Sequence, residues 1–264
     1  MWQSTHFLVG HINQISRLEW NTETHDTGHI TRSFRSVTLE ATVGFTFGVN
    51  EDLGLWFGTT TGRFYSFHPY RESHQFIHHD IPGVHLSKGI VFHPSANGIL
   101  YYIDSLNQRI LSLYYDYDTK LVTGPPQVVF DFIEWRGTIS PAIFSGRVTL
   151  GRMAIDRRFH LWVPLNGGGY ILDIDPTRRH PVVRYIGLNS LKLNACVFGG
   201  DLLDILYVSS EPYERNIERP THFEVGKIFA VSNLGDGAFG YAPSDFDMPP
   251  PPKRRPSPES HYWA

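Results

Sequence analysis

Short apolar runs, each closed by Gly, Pro, Asn or Asp, recur from one end of this chain to the other. In "GIVFHPSANGILYYID" (Gly89–Asp104) two such runs flank a polar turn, which predicts strand, turn, strand. The same layout recurs in "HFLVGH", "ISRLEW", "GLWFGT", "GRFYSF", "RILSLYYD", "HLWVPL", "GYILDID", "CVFGG", "ILYVSS" and "KIFAVS", all rich in β-branched and aromatic residues. No stretch keeps apolar residues at i, i+3, i+4 and i+7 over three turns, so no amphipathic helix is expected. The pattern predicts an all-β fold.

A weak internal repeat sharpens this. "GIVFHPSANGILYYIDSLNQRILSLYYD" and "RMAIDRRFHLWVPLNGGGYILDIDP" share one plan: an apolar strand, a polar turn, a second strand, then a strand closing on acidic residues. The plan returns more loosely in "VGFTFGVNEDLGLWFGTTTGRFYSFHP" and in "NACVFGGDLLDILYVSS". These units start near Val43, Gly89, Arg152 and Asn194, about 40 to 60 residues apart, the spacing of β-propeller blades. The strands before Val43 are expected to make an incomplete blade. A β-sandwich is the alternative architecture.

Composition narrows the function classes. The net charge of -3 comes from interspersed charges of both signs, so no field draws nucleic acid or an anionic membrane surface. Cys196 is the only cysteine, which excludes an internal disulfide and a Cys-rich zinc site. No apolar run approaches the roughly 18 to 20 residues of a membrane span, and the N-terminus does not read as a signal sequence. A cytoplasmic protein is the expectation. Residues 1–244 are expected to form the propeller. The end of the chain, 245–264, contains "PPPPKRRPSPES" and reads as a disordered Pro/Arg-rich tail, because repeated prolines remove ladder donors. Within it, 249–258 could serve an SH3-type partner, and Ser257 a basophilic kinase.

The segments "YYIDSLNQRILSLYYDYDTKLVTG", "MAID", "LWVPLNGGGYILDIDP", "CVFGGDLLDILYVSS" and "GKIFAVSNLG" resemble, in order and spacing, the regucalcin and gluconolactonase family, also called senescence marker protein and akin to luciferin-regenerating enzyme. The resemblance implies a six-bladed propeller, with about five blades in this chain, and a divalent metal in the central channel. It also implies a sugar-lactone hydrolase chemistry in which the metal polarises the lactone carbonyl and activates water. Oxygen ligands suit Ca²⁺, and Mn²⁺ or Zn²⁺ are the other ions such a site accepts.

Carried over position by position, the resemblance finds the metal ligands changed. The ligand asparagine falls on Lys88, in "SKGI", and a protonated amine has no lone pair to coordinate with. The ligand aspartate falls on Gly151, ahead of "MAID", which offers no side-chain oxygen. The family's substrate positions fall, on a loose alignment, on Phe45 for the asparagine and Val43 for the arginine. Sliding that alignment brings Asn50, Glu51 or Asp52 forward instead. The family's glutamate belongs to a first blade that this sequence is expected to lack. Glu19 alternates with Leu18 and Trp20 as the outward face of a strand and is no substitute.

Other residue groups read as structure first. Asp104 and Asp156, weak channel candidates, stand with Asp116, Asp118, Asp173 and Asp175 at strand ends, where turn-forming carboxylates are expected. His74, His78, His79, His85 and His93 lack the cysteine or carboxylate spacing of a zinc site and read as solvated. "PLNGGGYI" leads into no helix and reads as a hairpin turn, not a phosphate loop. No catalytic residue and no metal ligand is assigned, and no cofactor is expected. Three functions remain open: a catalytically impaired propeller that binds a partner or a small ligand such as a lactone; an active metal-dependent lactonase holding Ca²⁺, Zn²⁺ or Mn²⁺; and an incomplete product of a family gene.

Overall fold

The computed structural model describes residues 6–11, 14–20, 29–36, 44–51, 54–68, 76–95, 98–144, 146–212 and 224–244. The expected tail from 245 onward and Val43 lie outside them. Among the described residues there are five antiparallel sheets, in each of which the chain meanders from one strand to the next. The first contains β1 (His6–His11), β2 (Gln14–Glu19) and β3 (His29–Ser36). The second contains β4 (Phe45–Glu51), β5 (Gly54–Thr59), β6 (Phe64–Phe67) and β7 (Phe76–His79). The third contains β8 (Ile90–Phe92), β9 (Ile99–Asp104), β10 (Arg109–Asp116) and β11 (Leu121–Asp131).

One short helix, α1 (Phe132–Gly137), follows, capped by the Asp131 carboxylate, which accepts from the Glu134 N–H. The sequence reading missed it because six residues are too few to display a helical period. The fourth sheet holds β12 (Thr149–Leu150), β13 (Ala154–Ile155), β14 (Leu161–Asn166), β15 (Tyr170–Ile174) and β16 (Val182–Gly187). The fifth holds β17 (Leu193–Gly199), β18 (Ile205–Ser210) and β19 (Ile228–Val231). The fold is a β-propeller, and its blades begin where the repeat places them.

No single core holds these sheets together; the apolar layers lie between consecutive blades. Ile15 meets Leu55, Phe57 and Tyr65 between the first and second. Trp56 and Phe64 meet Leu100, Tyr102 and Tyr115 between the second and third. Ile103, Ile110 and Phe130 meet Leu161, Val163 and Leu172 between the third and fourth, and Trp162 and Ile171 meet Leu193, Phe198 and Leu206 between the fourth and fifth. A central strand is therefore covered on both faces. This is why "GLWFGT" is buried at every position, whereas the outer strand β16 alternates between half-buried and exposed. Each large side chain fully buried in these layers contributes roughly 2–3 kcal/mol by area alone.

The outer strands tolerate residues that an interior strand would not. Pro125 and Pro126 lie in β11, an edge of its sheet, where the register to β10 slips between Ser112 and Tyr114. The glycine-rich stretch of blade four is a hairpin turn joining β14 to β15, with Gly167 at φ +90° and Gly169 at φ +71°.

Candidate functional site

The first strands of successive sheets touch one another in order: β1 against β4, β4 against β8, and β13 against β17. Between blades three and four the approach is made by Gly89, where a Cβ would lie 3.0 Å from the Arg152 side chain. These inner strands wall the central channel. Blade four differs from the others there, because its inner strand is broken into β12 and β13 at Gly151–Met153. Opposite the break stands Pro164 of β14, whose carbonyl accepts from the Gly151 N–H at 2.7 Å but which has no N–H to return. Freed from its own sheet, the backbone turns to blade five: the Arg152 N–H donates to the Asn194 carbonyl at 2.7 Å, and the Cys196 N–H to the Arg152 carbonyl at 3.1 Å.

This break aims Arg152 into the channel. Its Nη2 donates to the Thr46 carbonyl of β4 at 2.7 Å and its Nε to the Lys88 carbonyl at 3.5 Å. Rooted in blade four, the side chain lies against Gly89 and the Lys88 carbonyl of blade three and ends on blade two, so it runs along the inner wall of the channel. Arg152 is solvent-exposed, yet the walls around its guanidinium strip away enough water to lower its pKa. Lys88, half-buried just ahead of β8, extends to blade four, where Nζ donates to Thr149 Oγ1 at 3.4 Å.

Gly151 is buried, and no larger residue fits its place. A Cβ there would lie 2.4 Å from the Asn194 carbonyl oxygen and 3.0 Å from the Pro164 ring. Phe45, which the loose alignment sets at a substrate position, packs at the seam of blades one and two, edge-on to Phe57 at 5.3 Å and against Gly10. Asn50 pairs with Leu55 at the other end of β4, about 13 Å along the strand from Thr46.

The two carboxylates considered for the channel are engaged inside their blades. Asp104 is buried at the end of β9 and accepts from the Asn107 backbone at 3.3 Å and side chain at 2.7 Å, holding the β9–β10 turn. Asp156, fully buried, accepts from the backbones of Arg158 and His160, from the Arg158 guanidinium at 2.7 Å and from Trp162 Nε1 at 2.9 Å. Beside it Asp173 accepts from Arg184 at 2.9 Å and pairs with His160 Nδ1 at 2.7 Å.

The histidines split by environment. His78 and His85 are exposed, and His93 stacks on Phe159 at 4.4 Å with its pKa lowered by burial. His79 corrects the reading of the cluster as solvated. It is buried, stacked on Trp56 at 4.9 Å, and its Nδ1 accepts from the Val122 N–H. Its Nε2 therefore carries the proton and donates to Ser66 Oγ at 2.8 Å. Burial, with His68 and His78 nearby, lowers its pKa to about 3. His74 lies outside the described residues. Burial likewise pushes the Cys196 thiol up to about 12, so it is no nucleophile. Among the described residues no three His, Cys, Asp or Glu side chains are grouped as metal ligands.

A family model described as the SMP-30/gluconolactonase/LRE-like region matches residues 3–211. The chain belongs to the SMP-30/gluconolactonase/LRE-like family. YvrE of Bacillus subtilis, a candidate sugar lactone lactonase by name, is 29% identical over 164 residues, 62% of this chain and 50% of that protein. The chain's match thus spans half the length of that relative. A luciferin-regenerating enzyme has the same fold, with a TM-score of 0.74 at 20% identity, over 91% of this chain and 77% of the other. The Agrobacterium tumefaciens protein named as a calcium-binding protein, regucalcin, aligns with a TM-score of 0.67 at 16% identity, over 93% and 77% of the two chains.

At the two described positions to which the resemblance assigns metal ligands, the residues present do not fit the metal it implies. Lys88 supplies donors where a neutral oxygen is expected, and Gly151 has no room for a carboxylate. Arg152 is the residue that sequence reasoning passed over. The signal was in the sequence, a charged side chain at the start of an inner strand beside a glycine, but the proline-directed break that turns it inward is a tertiary effect.

Proposed function

We propose that this propeller works by binding a ligand in its channel and not by metal-assisted hydrolysis. The observation that carries the reading is the blocked position at Gly151, where the Asn194 carbonyl occupies the space a ligand side chain would need. Lys88 reinforces it: a unit charge ~4 Å from a divalent ion costs about 8 kcal/mol at an effective dielectric near 20, before the side chain swings away. Against the ~1.4 kcal/mol that changes affinity tenfold, this is a large penalty.

The second reading, a divalent-metal-dependent sugar-lactone hydrolase, is favoured by the likeness to the B. subtilis relative. The two separate on turnover. With gluconolactone as probe, the full chain is expected to hydrolyse no faster than buffer, with Ca²⁺, Mn²⁺ or Zn²⁺ added or with chelator. Chelator-sensitive turnover by the unmodified chain establishes the hydrolase and ends the binding reading.

A further inference from the structure

We propose that Arg152 is a built-in cation that ties the channel wall together, so that blades two to five are held there by a tethered guanidinium and not by a dissociable ion. The inference rests on the reading that no divalent metal occupies the channel, and it names the group that does the holding.

Arg152 is bonded to three blades besides its own. Its backbone donates to Asn194 and accepts from Cys196 of blade five, its Nη2 donates to the Thr46 carbonyl of blade two at 2.7 Å, and its Nε donates to the Lys88 carbonyl of blade three at 3.5 Å. Each contact depends on a local irregularity. Pro164, opposite Gly151, lets the inner strand of blade four break and frees the Arg152 backbone for blade five. In blade three Gly89 carries no side chain, so the stem of Arg152 can lie against it. In blade two the register of β4 to β5 slips between Phe45 and Phe47, which makes Thr46 the extra residue of a β-bulge, and its carbonyl goes to Arg152. A break, a glycine and a bulge, on three different blades, thus meet at one residue.

Carbonyl oxygens are neutral ligands that suit a hard divalent ion, and a guanidinium satisfies the same oxygens with directed N–H donors and a permanent charge. Hydrogen bonds from an ionised donor are roughly twice as strong as those between neutral groups. The fork is fixed by two carbonyls and the stem by Gly89, so the entropy of ordering a long side chain is lost once, on folding. Unlike a bound ion, this charge cannot dissociate. The wall it ties is therefore the same at any calcium concentration.

Scanning calorimetry of the full chain, in Ca²⁺ and in chelator, tests the device. The unmodified protein is expected to melt at the same temperature in both. Arg152→Met keeps the stem but removes the charge and both donors, and is expected to melt about 5 °C lower. Arg178→Met, which removes an exposed arginine paired with Asp175, is the control and is expected to shift melting by no more than about 2 °C. Hydrogen exchange read by mass spectrometry locates the effect. In Arg152→Met, peptides covering β4 and residues 88–92 are expected to exchange about tenfold faster, with those covering β1 unchanged. Arg152→Lys, which keeps the charge without the planar fork, is expected to fall between the two, and carries the test if Arg152→Met does not fold. Arg152 variants that melt no lower than Arg178→Met and leave exchange at β4 unaltered overturn the inference while the metal-free reading stands. An unmodified protein that melts higher in Ca²⁺ overturns the metal-free reading itself, which separates the two failures.

Discussion

Replacing Gly151 by aspartate is expected to lower the melting temperature by about 10 °C and to build no metal site. The ideal Cβ falls 2.4 Å from the Asn194 carbonyl oxygen, and both partners are backbone held by the Arg152–Asn194 and Gly151–Pro164 hydrogen bonds, so neither can yield cheaply. Overpacking of this kind costs about 1–3 kcal/mol, and a carboxylate forced against a carbonyl oxygen adds to it. For a chain of this size each kcal/mol shifts the melting temperature by about 2–4 °C. Differential scanning calorimetry of Gly151→Asp beside Gly151→Ala measures the two contributions. If Gly151→Asp keeps the parent's melting temperature, the inner strand is free to open there, and the argument from the blocked position fails.

The second large effect is acid lability through His79. Its folded-state pKa of about 3 lies below the ordinary 6.5. As pH falls below 6.5 the unfolded chain takes up a proton that the folded protein refuses, so stability is fully present above 6.5 and is lost progressively on the way down to about 3. At 1.36 kcal/mol per pKa unit the whole loss is of the order of 5 kcal/mol. Urea unfolding near neutrality and at moderately acid pH reads it out. His79→Gln retains a donor for Ser66 and an acceptor for the Val122 N–H, and its stability should fall less steeply with acid than the parent's. Equal slopes would mean that the imidazole is already protonated in the fold.

These two positions also mark what the sequence could and could not tell. Blade starts were legible because both faces of a central strand such as β5 are buried and leave an unbroken apolar run between turn residues. Lys88 and Gly151 drew notice only through the family resemblance, since neither residue is unusual by itself. The burial of His79 was not: "FIHHD" presents two adjacent histidines, and a strand's alternation sends one out and one in. The choice belongs to register against Tyr65 and Phe64 in β6. Arg152 was hidden for a related reason. Its direction depends on Pro164, twelve residues on in the sequence and opposite it in space, which withholds a ladder N–H and lets the inner strand break.

The central claim is that this channel presents positive charge where the family fold implies a divalent cation. Calorimetric titration of the full chain with Ca²⁺, then Mn²⁺ and Zn²⁺, in anion-poor buffer tests it most directly. The account predicts no saturable heat attributable to the channel for any of the three ions, and no change when Lys88 is replaced by methionine, because the Gly151 position remains closed. Stoichiometric micromolar binding by the unmodified chain would contradict it.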